Sequence, residues 1–155
     1  MILRWEEGRA VVDAMLNDGR LQRVSASREH AAHLIEMAEQ KITSASSLVA
    51  NDPDTAASVA YDAARLALTA VLATQGLRPK IEGGHIAIYE VLIAQFPSTT
   101  SRLRPFDRLR RSRNALQYPA IDGESVSPDD VDADLAIVAD LVEFARPLID
   151  QLPVY

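Results

Sequence analysis

Apolar residues recur with helical spacing along most of this 155-residue chain. Trp5, Val11, Val12, Met15 and Leu16 form a loose stripe over residues 4–17, broken by Gly8 and stopped at Asn17-Asp18-Gly19. Leu21 and Val24 then fall in a short connector. A long amphipathic helix follows, its face formed by Ala31, Leu34, Ile35, Ala38, Ile42, Ala45 and Val49, with Ser25 or Ser27 as cap. It ends at Asn51-Asp52-Pro53, where Asp52 can cap the next helix and Pro53 suits its first position.

From Thr55 to Gln75 the chain is apolar nearly all round and rich in alanine, so this helix must be buried on most sides and let its neighbours come close. It is the expected centre of a bundle, closed by Gly76. A loop from Leu77 to Gly84 contains Gly83-Gly84 without the lysine and strand context of a phosphate loop. His85 opens a helix running to Phe96, where a structural hydrogen-bonding role is the first expectation for it. Pro97 to Ser101 forms a turn. With Ser101 as cap, Pro105 falls in the first turn of the next helix, and Phe106, Leu109, Ala115 and Leu116 can face the core up to the stop at Tyr118-Pro119. After a turn at Asp122-Gly123, Ser127 caps a last helix that starts at Pro128 and carries Val131, Leu135, Val138, Leu141, Val142, Ala145, Leu148 and Ile149.

The pattern predicts an all-α fold: an antiparallel four- or five-helix bundle over residues 27–150, with an N-terminal helical extension, residues 1–24, laid on it as a clasp. Length fits one domain. Low aromatic content and few glycines agree with helices. No cysteine is present, which removes disulfide and thiol chemistry and cysteine-ligated metals. There is no long apolar run near the N-terminus and no stretch of eighteen apolar residues, so the expected setting is the cytoplasm, with no membrane partner.

Charge changes the picture in one place. The chain carries a net charge of −6, yet six of its sixteen basic residues lie between Arg102 and Arg113. The acidic balance argues against indiscriminate nucleic-acid binding and leaves room for a local basic site. Eight acidic residues and no basic one lie between Asp122 and Glu143, so the arginine helix has an intramolecular alternative: pairing with the last helix. The face that matters carries Arg110, Arg113, Asn114 and Tyr118, with Arg102 and Arg104 as surface charges near the cap. His30 and His33, one turn apart, lack the further ligands of a metal site, and no metal or cofactor is expected.

The ordered set of a long helix, a buried Ala-rich helix with Tyr61 in Ala60-Tyr61-Asp62-Ala63-Ala64, His85 after a Gly-containing loop, and Arg113-Asn114-Ala115-Leu116-Gln117-Tyr118 resembles the HEPN superfamily of small helical-bundle proteins. The resemblance covers about residues 27 to 150 and implies a homodimer. In many members an Arg, a polar residue and a His after four intervening positions form a metal-independent ribonuclease site. It further implies toxin and antitoxin or phage-defence pairs, with a nucleotidyltransferase as partner protein. Carried over, the Arg is Arg113, the polar residue is Asn114, and Tyr118 stands where the His would be. That substitution bears on chemistry, because tyrosine titrates near 10 and is a poor base at neutral pH. Three readings follow. One is a binding module that holds RNA, a nucleotide or a protein through Arg110 and Arg113. Another is an endoribonuclease in which Arg113, Asn114 and Tyr118, or His85 if it reaches the cleft, do the chemistry. The last is a scaffold or antitoxin whose arginines pair with acids.

Overall fold

The computed structural model describes residues 5–80, 82–123 and 125–155. Among them run six helices: α1 (Arg9–Asn17), α2 (Arg28–Leu48), α3 (Pro53–Gln75), α4 (Gly84–Gln95), α5 (Thr100–Gln117) and α6 (Pro128–Gln151). The fold is an all-α bundle. Two three-residue strands, β1 (Leu21–Arg23) and β2 (Leu77–Pro79), pair antiparallel with Leu21 opposite Pro79. This ribbon replaces what reads as connector and loop, because three residues are too few to display an alternating pattern. Its ends are held by Val24 N–H on the Gly76 carbonyl and Lys80 N–H on the Arg20 carbonyl.

Helix α3 is the centre, as its composition requires. Asp52 caps it by accepting from Thr55 N–H at 3.1 Å, and Gly76 ends it in the left-handed conformation at φ 77°. Its length and apolarity would also suit a membrane span, but here most of its residues are buried between α2, α4, α5 and α6. Ala56, Ala60, Ala63, Ala64, Ala67 and Ala70 are fully buried, which allows close helix approach. Thr74 donates to the Ile149 carbonyl at 2.8 Å. Pro153 stands four residues beyond Ile149 and has no N–H to offer that carbonyl, so the hydroxyl fills a gap at the end of α6.

The clasp is built from both chain ends. Gly8 caps α1 at φ 73°, and a Cβ there would lie 2.7 Å from the Ala94 carbonyl carbon. Trp5 is buried edge-on to Phe96, with centroids 6.2 Å apart, and also meets Tyr155. Tyr155 N–H donates to the Gln75 carbonyl and its hydroxyl to Asp13 at 2.6 Å.

Helix α5 departs from expectation at both ends. A 3-10 turn, Pro97–Thr99, runs directly into it, and Thr99 and Thr100 hydroxyls donate to the Phe96 and Pro97 carbonyls. The chain is therefore already turning before Ser101, which lies inside the helix and caps nothing. Pro105 accordingly sits deeper than the first turn. Leu103, Phe106 and Leu109 are buried, whereas Ala115 is exposed and Leu116 half-buried. Beyond Leu109 the helix flanks cavities rather than close-packed core, with Leu116 and Arg113 lining one of them beside Ala57 and Asp130.

Helices α5 and α6 pack antiparallel, and charge pairs mark the register. Arg102 holds Asp140 through two bonds of 2.9 Å, and Arg108 faces Asp134 at 3.6 Å. The acids of α6 thus engage Arg102 and Arg108. Arg110 and Arg113 pair with residues of their own helix, Asp107 and Gln117.

Candidate phosphate-binding site

Three elements bring the site together. Helix α3 places Tyr61 and Arg65 one turn apart, the first turn of α4 supplies His85, and α5 supplies Arg110 and Arg113. Tyr61 is buried with its ring stacked on Phe106 at 5.5 Å and 17°, which fixes where its hydroxyl points. That hydroxyl lies 2.8 Å from His85 Nδ1. The Arg113 guanidinium stands over the Tyr61 ring, 5.8 Å from its centroid, within range of a cation–π attraction.

Electrostatics keep the Tyr61–His85 pair neutral. Burial pushes the Tyr61 phenol up to about 12, against the pull of Arg65, Arg113 and Arg110. Burial also holds His85 below its ordinary value, and the same arginines add to that shift. At pH 7 the imidazole is uncharged and half-buried. Its Nε2 bonds to no described residue. Around the pair stand three guanidiniums, Arg65, Arg110 and Arg113, against two carboxylates, Asp62 and Asp107. Burial raises Asp107, but the bonds from Arg110 and Arg111 outweigh it and leave the carboxyl below its usual range. With Arg111 also bonded to Asp107, positive charge is in excess here in a chain whose total is −6.

A cavity of about 240 Å³ adjoins this face between α3, α5 and α6, and Arg113 lines it together with Arg108, Ser112, Leu116, Asp130 and Asp134. Burial raises Asp134, helped by the like charge of Asp130 and opposed by Arg108.

Of the residues singled out in the sequence, Arg110, Arg113 and His85 meet at this site. Asn114 and Tyr118 do not join them: both are exposed, Tyr118 by 76%, and Tyr118 lines a separate groove with Asp54 and Val126. Arg65 went unread. The signal for it is an isolated Asp62-Arg65 charge pair in an otherwise apolar helix, one turn from Tyr61. His30 and His33 lie exposed on α2, and among the described residues no three His, Asp or Glu gather to hold a metal.

The family model of the HEPN domain matches residues 31–149, from the first turn of α2 to the last turns of α6. The chain belongs to the HEPN family. No curated protein and no solved structure matches it. The HEPN match leaves α1 and β1 outside and includes every residue of the site. Within this HEPN domain Tyr118 is solvent-exposed, and the histidine whose charge state Arg113 influences, His85, comes from α4.

Proposed function

We propose that this HEPN domain binds RNA or a nucleotide through phosphate held by Arg113, with Arg65 and Arg110 supporting the local positive charge. The observation that carries this reading is the placement of Arg113. It stands over the Tyr61 ring, its hydrogen bond is to Gln117, and no described acid of α6 lies within ion-pair distance of it. Guanidinium groups contact phosphate oxygens by paired, charge-assisted hydrogen bonds. An arriving phosphate would also offset the repulsion that the arginines exert on a protonated His85. The partners and setting expected from the sequence go with the proposal: a second copy, RNA, a cognate nucleotidyltransferase in a toxin and antitoxin or defence pair, and the cytoplasm.

The test is fluorescence anisotropy with a labelled single-stranded decauridylate at low salt. Arg113→Ala should weaken binding on the order of tenfold, as expected for losing a charged hydrogen-bond donor, and should flatten the salt dependence. Absence of binding by the unaltered protein, or equal affinity of the variant, sinks the proposal.

One observation favours a second reading, a metal-independent endoribonuclease. A neutral, partly solvated imidazole beside Arg113 is a group able to move a proton near neutral pH, with the guanidinium placed for charge developing on phosphorus oxygens. In that reading Arg113 and His85 carry the chemistry, and Asn114 and Tyr118 contribute polar contacts to the bound strand. Incubation with RNA in the presence of a chelator, from about pH 6 to 9, should yield cleavage that disappears in both His85→Ala and Arg113→Ala. Intact RNA throughout that range retires this reading and leaves binding untouched.

A further inference from the structure

The cavity beside Arg113 has a division of charge along its length. Arg108 and Asp134 face each other at one end, and Arg113 lies five residues farther along α5, about 7.5 Å at the rise of an α-helix. Because α5 and α6 run antiparallel, Asp130 falls near the Arg113 end. Its carboxylate is already engaged, accepting from Ser127 N–H at 3.2 Å in the cap of α6. Asp134 is different. Its side chain is only 15% exposed, and the Arg108 guanidinium stands 3.6 Å away, beyond hydrogen-bond range. A carboxylate so far removed from water normally has hydrogen-bond partners. Asp134 lines the cavity, and among the described residues Arg108 is the cation paired with it.

We infer that this cavity is a base pocket of the same site and selects guanine, with Asp134 accepting from the base and Arg113 holding the attached phosphate. The inference rests on the phosphate-binding reading above. The choice of base follows from donor and acceptor patterns. A carboxylate only accepts, and its two oxygens can take two neighbouring donors at once. On its pairing edge guanine presents ring N1–H beside the exocyclic amino group, two adjacent donors. Adenine and cytosine each set their amino donor beside a ring-nitrogen acceptor, and uracil flanks its single N–H with two carbonyls. Only guanine satisfies both oxygens of Asp134. Leu116 supplies apolar surface, and the Arg108 guanidinium, on a side chain 58% exposed at the rim, would exchange its ion pair with Asp134 for stacking on the base.

The probes are decauridylates carrying one central guanosine, adenosine or cytidine, compared with the all-uridine strand by anisotropy. The guanosine strand should bind on the order of tenfold more tightly than the other three, the discrimination of one good bidentate contact. Asp134→Asn should erase that gap, leaving all four strands with affinities like one another. Arg113→Ala should weaken all four strands by a similar factor and keep the gap. Equal binding of the four strands, or a gap that survives Asp134→Asn, overturns the guanine pocket and leaves phosphate binding standing. Binding of none of the strands overturns both. Should Asp134→Asn fail to fold, Leu116→Trp, which fills the cavity, carries the test: a guanosine preference retained in it refutes the pocket.

Discussion

The Tyr61 hydroxyl and His85 Nδ1 lie 2.8 Å apart and join the start of α4 to the middle of α3. A phenol held at about 12 stays protonated, and an imidazole held below its ordinary value stays neutral, so one hydrogen is shared between two uncharged groups. The pair pins α4 at the edge of the arginine cluster. At the far end of the same two helices, Gln75 and Gln95 exchange two buried amide hydrogen bonds of 3.0 and 2.8 Å.

Acidification should reveal the His85 environment. A histidine whose folded value lies below its unfolded value of about 6.5 contributes stability that is complete above the unfolded value. That stability is lost as pH falls through the folded value. Urea midpoints measured downward from pH 7.5 should therefore decline below about pH 6.5, and His85→Gln should flatten that part of the profile. Proton NMR should place the His85 titration below the ordinary histidine value, and phosphate or RNA should move it upward. A His85 titration at the ordinary value sinks this account.

Replacing one member of the Gln75–Gln95 pair leaves a buried amide without its partner. Gln75→Leu or Gln95→Leu alone should cost about 1–3 kcal/mol in chemical denaturation. The double replacement by leucine should recover part of that loss, since the unpaired polar group disappears with its partner. Additive losses in the double variant would show that the two amides do not act as a unit.

Gly8→Ala should loosen the clasp. The position needs φ 73°, and a Cβ would press on the Ala94 backbone at 2.7 Å, which a neighbouring side chain cannot relieve by moving. A loss of more than about 1 kcal/mol is expected. The fluorescence of Trp5, now buried against Phe96 and Tyr155, should shift toward that of a solvated indole. Unchanged emission would mean that α1 docks without this glycine.

Arg102 and Arg113 should separate stability from binding. Arg102→Ala removes a partly exposed bidentate pair with Asp140, a change of about 0.2–1 kcal/mol, and should leave RNA affinity unchanged. Arg113→Ala should do the reverse, with a melting temperature close to that of the unaltered chain and weakened RNA binding. Equal effects of the two on RNA would mean that the basic helix acts as a diffuse charge rather than through a site.

Much of the scaffold was legible in the chain. The Asp52-Pro53 start, the alanine-rich centre and the Gly76 stop of α3 are local signals, and each depends on near neighbours along the helix. The Ser127-Pro128 start of α6 is another, completed by a reciprocal bond with Asp130. The β1–β2 ribbon was not legible, since neither strand is long enough to show its period and each is ordered by the other. The start of α5 differs from a cap at Ser101 because the 3-10 turn at Pro97 leads the chain directly into the helix.

By itself the sequence determined the helices, their order, the burial of α3 and the concentration of arginines on α5, because spacing, capping and composition act over a few residues. Only the tertiary structure decided which arginines are engaged and what they stand beside. Pairing of Arg102 and Arg108 with α6 depends on the register of two packed helices, and so does the separation of Arg113 from those acids. The meeting of Tyr61, His85 and Arg113 joins residues from three helices, set by the depth at which Tyr61 stacks on Phe106. Tyr118, at the C-cap of α5, ends in solvent, away from the Tyr61–His85 pair.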